Sequence, residues 1–330
     1  MAGYQPEKRL VVCCDGTWND SVSTDSPLTN VSRFSRCVEA IGEDGILQIV
    51  YYHTGVGSGT SKLSNSIDGA TGRGLSRNIR DAYSFICNNY NFEGGNDEIH
   101  LVGFSRGAFT VRCVASLIDS IGLLTKPGLV HLHDLYHSWE KLDNNKEDLI
   151  SQVTELEEKG LLRRKIQVEA CAVWDTVSAL GVPIPFGIPQ PKSPKLAFVD
   201  AEVPHTVKNA FHALALHERR KHFKPLLWHS PSQDHINLRQ CWFWGVHSDV
   251  GGGYEDAGLA NLALIWMVAQ FQRATKLHFN MDTLLRFLIP DKLIESTTGR
   301  NLHISTSVFG IQYGYQERNI RIRSKIDKGT

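Results

Sequence analysis

Apolar positions along the chain recur in two rhythms. Short, nearly continuous runs read as buried strands: RLVVCCD (9–15), ILQIVYYH (46–53), EIHLVGF (98–104), KIQVEACAVWD (165–175) and RQCWFWGVH (239–247). Stretches spaced for one face of a helix lie between them. These are NVSRFSRCVEAIG (30–42), residues near 75–90, residues 106–122, VKNAFHALALHE (207–218) and AGLANLALIWMVAQFQRAT (257–275). Asn30 is placed to cap the first helix and Gly42 to end it. Strands that are apolar throughout need cover on both faces, and helices supply the crossovers that parallel pairing demands. The alternation therefore predicts an α/β fold, with a mostly parallel central sheet and helices on both faces.

Two stretches break the rhythm. Residues 123–164 carry a charged helical pattern, KLDNNKEDLISQVTELEEKG. Residues 181–204 hold six of the twelve prolines and resist regular structure. Both are expected to be insertions in a single domain spanning 1–330, forming a helical and proline-rich cap; a passive surface excursion is the other reading. From 276 the pattern weakens, and LHISTSVFGIQYGY (302–315) would add an edge strand or pack over the sheet.

Composition changes this picture little. The chain has 330 residues, with 35 Lys+Arg against 35 Asp+Glu, so charge gives no reason to expect a nucleic-acid partner. Seven cysteines in no dense or CxxC pattern read as small buried thiols in a reducing compartment. MAGYQPEKRL has no apolar signal core and no run of about 18 apolar residues exists, so the expected location is cytoplasmic.

The chemistry begins at Gly103-Phe104-Ser105-Arg106-Gly107, where a strand must enter a helix almost at once. Such a turn lifts the serine hydroxyl above the carboxyl edge of the sheet, beside a helix N-terminus that favours a developing anion. Flanking residues approach neighbouring backbone too closely to carry side chains. A serine nucleophile needs a base and an acid that orients the base. In the α/β-hydrolase fold these follow in the order Ser, Asp or Glu, His. VWDTV ends its strand at Asp175 and GVHSDVGGGY brings His247 to the end of the next. Asp249 competes for the acid role, but Asp175 ends its own strand; Asp249 is then expected to tether the Gly251–Gly253 loop. The oxyanion would be held by the amides of Arg106 and of Gly16 or Thr17, with Asp15 as a brace. Such chemistry needs no cofactor.

CDGTWN, GFSRGAFTVR, VWDTV and GVHSDVGGGY, in this order, resemble the type VI secretion lipase-effector-like family of α/β-hydrolases, over about 9–275. That resemblance implies a phospholipase acting on membrane glycerophospholipids, with Ser105, Asp175 and His247 as its triad. The implied partner is a lipid or other ester, met in transient contact with a membrane surface. The rival readings are an esterase or thioesterase for small substrates, a non-catalytic interaction protein on the same fold, and a nucleotide- or cofactor-binding protein.

Two further motifs resemble binding sites without meeting their requirements. GVGSGTSK (55–62) lacks the glycine a phosphate loop requires before its lysine, and reads as a rim loop. HLHDLYH (131–137) spaces two histidines as zinc ligands can be spaced, with no Glu or Cys nearby, so no metal is expected. HALALHERRKHF (212–223) reads as a helix with a solvated basic end.

Overall fold

The computed structural model describes residues 7–16, 27–55, 72–94, 97–141, 146–177, 196, 199, 202–220, 223–229 and 235–288. Residues 1–288 form one compact unit. The strand expected at 302–315, most of the proline-rich segment and all but the start of the 55–62 loop lie outside the described residues.

In chain order the elements are β1 (Lys8–Cys14), α1 (Asn30–Cys37), β2 (Leu47–His53), α2 (Gly72–Asn89), β3 (Glu98–Phe104) and α3 (Ser105–Ile121). Then come β4 (Leu123–Leu124), α4 (Leu132–Glu140), α5 (Lys146–Glu158), β5 (Leu162–Arg163), β6 (Val168–Trp174), β7 (Val207–Ala215), β8 (Asn237–Phe243), α6 (His247–Gly251), α7 (Gly258–Ala274) and α8 (Met281–Leu288). Among the described residues one six-stranded sheet runs β2-β1-β3-β6-β7-β8, and every neighbouring pair in it is parallel. The chain goes from β1 to β2 on one side and then to β3 on the other. The carboxyl ends of β1 and β3 therefore flank the switch point, where open α/β sheets bind ligands.

Alternation within each strand divides the core. Leu10, Val12, Ile99, Leu101 and Val173 face the layer of α2 and α3. Val11, Cys13, Val102, Phe104, Ala172 and Trp174 face α1, α7 and α8, where Phe34 packs against Phe271 and Phe279 at centroid distances of 5.0 and 5.1 Å. Cys13, Cys14, Cys37, Cys87, Cys113 and Cys171 are buried and in no disulfide. Burial pushes the Cys14, Cys87 and Cys171 thiols up to about 12, so they pack as apolar groups.

Two expectations are corrected. Residues 207–215 form a strand, not a helix. Asn209–Ala215 pair with β8 and six residues between Val207 and Ala213 pair with β6, so period 2 prevails: Phe211, Ala213 and Ala215 face the α7 side. The apolar run is too short for its periodicity to separate a buried strand from a helix. The second correction concerns 123–164. Helix α3 carries the chain 17 residues away from Ser105, about 25 Å at 1.5 Å per residue. The stretch thus departs from, and returns to β6 at, the sheet edge opposite the elbow. It packs on the outside of α2 and α3: Tyr83 Oη donates to Gly122 O and accepts from Leu124 N, and Trp139 Nε1 donates to Ser120 Oγ. This half of the expected cap is a flank.

Smaller shifts follow from local chemistry. The cap of α1 is Thr29, whose Oγ1 accepts from Ser32 N. Asn30 instead donates to Val250 O and Ala260 O, tying α1 to the loop beyond α6. Among the described residues no helix is long and apolar enough to cross a membrane.

Candidate active site

β3 enters α3 without an intervening loop residue, and Ser105 takes φ of 58°. A non-glycine residue there is strained, at a typical cost of about 1–3 kcal/mol. The two glycines make the turn possible. A Cβ on Gly107 would overlap the carbonyl oxygens of Cys14 and Asp15 at the end of β1, and one on Gly103 would press on the backbone of Gly107 and Ala108. The elbow is thus pinned between its own helix and the neighbouring strand.

Asp175 follows β6 and is also left-handed, with φ of 37°. Its amide donates to Ala213 O at 2.7 Å, and its Oδ1 accepts from Ala215 N at 2.9 Å, so β7 holds both its backbone and its side chain. The next residue is held as well: Thr176 N donates to His212 Nε2 at 3.3 Å. Burial, and then the nearby Arg112, push His212 well below the usual imidazole range, which keeps that nitrogen an acceptor.

His247 does not end a strand. β8 stops at Phe243, and the chain turns through Gly245 at φ of 101° before α6 begins with the histidine. Asp249 builds this turn. Its Oδ2 accepts from Val246 N at 2.8 Å, and its side chain fills the space a Cβ on Gly245 would need. Asp249 therefore braces the turn before the histidine, not the Gly251–Gly253 loop.

These three turns bring the groups into line. His247 Nε2 lies 2.8 Å from Ser105 Oγ, and His247 Nδ1 lies 2.6 Å from Asp175 Oδ2. All three residues are buried. Phe104 lies against the imidazole at a centroid distance of 4.6 Å and Phe223 meets it edge-on at 4.9 Å.

The expected oxyanion donors fare differently. Arg106 is the second residue of α3, so its amide belongs to the first turn, where amides point out of the helix start. Burial lowers its guanidinium to about 10, and it stays protonated at neutral pH. Gly16 is a correction: its amide donates to Asp15 Oδ1 at 2.7 Å. Asp15 Oδ2 also accepts from Thr29 Oγ1 and Tyr52 Oη, so Asp15 is the brace of this loop. Thr17 lies outside the described residues.

One residue that sequence reasoning passed over touches the site. Glu218 Oε2 accepts the His247 main-chain amide at 3.3 Å. It sits in the segment misread as a helix with a basic end, which hid its position. Among the described residues no cluster of three or more His, Cys, Asp or Glu is placed to hold a metal. On α4, His133 and His137 face solvent while Leu132, Leu135, Tyr136 and Trp139 are buried.

A curated relative, the uncharacterized protein YEL023C of Saccharomyces cerevisiae, is 29% identical over 239 residues, covering 66% of this chain and 32% of its own length. An uncharacterized protein from Pseudomonas aeruginosa matches in structure with a TM-score of 0.46 at 18% identity, over 88% of this chain and 48% of that one. The Tle1 effector bound to the VgrG spike of the type VI secretion system matches with a TM-score of 0.37 at 17% identity, over 77% and 52%. The chain thus spans about a third to a half of the proteins it matches. The model for the type VI secretion phospholipase effector Tle1-like catalytic domain covers residues 8–270, and the chain belongs to that family.

Proposed function

We propose that this chain is a serine hydrolase that cleaves carboxylic esters of lipids, glycerophospholipids first among them, through an acyl-enzyme. The observation that carries the reading is the line of hydroxyl, imidazole and carboxylate, at 2.8 and 2.6 Å, on three separate turns that follow β3, β6 and β8. Ser105 Oγ attacks the ester carbonyl while its proton passes to His247 Nε2. Asp175 holds the tautomer with the proton on Nδ1 and stabilises the imidazolium. The tetrahedral oxyanion is received by the Arg106 amide at the start of α3. The imidazolium returns its proton to the departing alcohol. Water, deprotonated by the same nitrogen, then releases the acid and restores the serine.

A lipid substrate is supported by family membership and by the rim. Past β7 and β8, Leu216 and Trp244 are 50% and 71% exposed, and Leu216 N donates to Phe243 O beside them. Exposed indole and aliphatic groups suit transient contact with a membrane surface.

The test is covalent labelling. Folded protein incubated with a fluorophosphonate should gain one adduct, mapped by mass spectrometry to Ser105. Ser105→Ala should lose the adduct and lower ester turnover by several powers of ten. Folded wild-type protein that takes no adduct, and hydrolyses neither phospholipid vesicles nor p-nitrophenyl esters, would overturn the reading.

A further inference from the structure

Beyond Ala215 the chain keeps to the sheet for two more residues. Leu216 N donates to Phe243 O and His217 N to Gly245 O. This extension delivers Glu218 beneath the turn that carries His247. The Glu218 side chain is 3% exposed, whereas that of its ion-pair partner Arg220 is 54% exposed. The pair is bidentate: Arg220 Nε donates to Oε1 at 2.9 Å and Nη2 to Oε2 at 2.8 Å. Oε2 is the same oxygen that accepts the His247 amide. The guanidinium carbon lies 3.6 Å from the centroid of Phe223, the ring that meets the imidazole edge-on. Arg220 thus reaches the histidine by two routes, one through a carboxylate and one through an aromatic ring.

We infer that Glu218 and Arg220 are positioning residues for His247, fixing its backbone and ring and balancing the charge beside it. This rests on the serine-hydrolase reading. Forked guanidinium–carboxylate pairs add geometric definition as well as energy, and a cation over a ring face orders that ring. The hydrogen bonds from Arg220 hold the Glu218 carboxyl down to about 2, although its partial burial opposes this. It is therefore a charged acceptor wherever an imidazole can act as a base. The other titratable groups bonded to this turn are Asp175, whose Oδ2 meets the imidazole, Asp249, which accepts the Val246 amide, and His217, whose Nδ1 accepts the Gly245 amide, while Tyr254 lies near Arg220. None of the carboxylates among them carries the histidine amide.

Charge balance gives a test with a sign. Arg220→Gln leaves the Glu218 carboxylate uncompensated near the imidazole, which favours the cation. The acid limb of the kcat/KM–pH profile on a soluble p-nitrophenyl ester should move up by about half a pH unit. Glu218→Gln leaves the guanidinium uncompensated, and the same limb should move down. Both variants should lower kcat more than they raise KM, and Arg220→Lys should return the limb toward wild type. A merely structural role would lower thermal stability without opposite shifts. Limbs that stay at the wild-type position, or move in the same direction, would overturn the inference. Should the buried Glu218→Gln fail to fold, the sign of the Arg220→Gln shift decides. Absence of a Ser105 adduct on wild-type protein would instead sink the serine-hydrolase reading itself.

Discussion

At the carboxyl edge of the sheet, Ser105 and Asp175 stand at φ of 58° and 37°, and buried carboxylates accept backbone amides at 2.7–2.9 Å. On the flank formed by 123–164, α4 and α5 bury plain apolar stripes, Leu135, Tyr136 and Trp139 on one and Leu149, Val153 and Leu156 on the other. Lys165, where the flank returns to the sheet, is the one other described non-glycine residue with positive φ. The edge is over-determined: every turn is held by a neighbouring strand, and backbone strain survives because contacts hold it in place. The flank adds burial but no unusual geometry. Two of the three described non-glycine residues with positive φ stand where the chemistry would be, and the flank contributes chiefly burial.

The sharpest way to break this contrast is within the edge, between its two aspartates. Asp175→Asn is expected to lower kcat by about 10⁴, because the wrong imidazole tautomer then faces Ser105. Asp249→Asn keeps a carbonyl that can accept the Val246 amide and removes only the charge, and the expected loss is about tenfold at most. Steady-state kinetics on a p-nitrophenyl ester separates them. If Asp249→Asn costs the larger factor, Asp175 is not the orienting acid.

Next in size is a pair of stability measurements. Gly107→Ala forces a methyl group into the Cys14 and Asp15 carbonyls, where only backbone can yield, and should cost about 3 kcal/mol or more with loss of activity. Trp139→Ala on the flank removes a side chain that is 0% exposed and should cost about 3–5 kcal/mol. Its kcat per folded molecule should stay within about twofold of wild type. Urea unfolding with active-site titration reads both. A tenfold fall in kcat for folded Trp139→Ala would mean that the flank and the edge are coupled.

Legibility in the sequence follows the same division. β3 was readable to the residue, because a buried apolar run and the glycine-flanked serine mark its two ends. Ser105, Asp175 and His247 were readable as a set, since each closes an apolar run with a turn. β7 was not: NAFHALALH is alanine-rich and satisfies helix propensity, and the slot between β6 and β8 overrode it. That error concealed Glu218 and Arg220, which a helix would have carried away from the edge. Gly16 follows β1, where the expected oxyanion donor was sought, but no pattern reveals that the neighbouring Asp15 carboxylate takes its amide. The amphipathic helix near 146–158 was legible, and its distance from Ser105 follows from the length of α3 once the chain is threaded through the sheet.

The smallest expected effect is the most direct control on the contrast. Gly160, at the end of α5, has φ of 69°, and a Cβ there would meet nothing within 4 Å. Its amide donates to Glu157 O and that of Leu161 to Leu156 O, closing the helix in a left-handed cap. Ala can make both bonds, so Gly160→Ala carries only left-handed backbone strain, about 1 kcal/mol. Gly107 and Gly160 thus differ in kind: one is glycine because space is absent, the other because of a dihedral angle alone. If Gly160→Ala shifts the urea midpoint by about that amount and leaves kcat unchanged, the difference is established at two positions with the same chemistry. A loss as large as that of Gly107→Ala would show that the flank is as tightly determined as the edge, and the contrast would fail at its least demanding point.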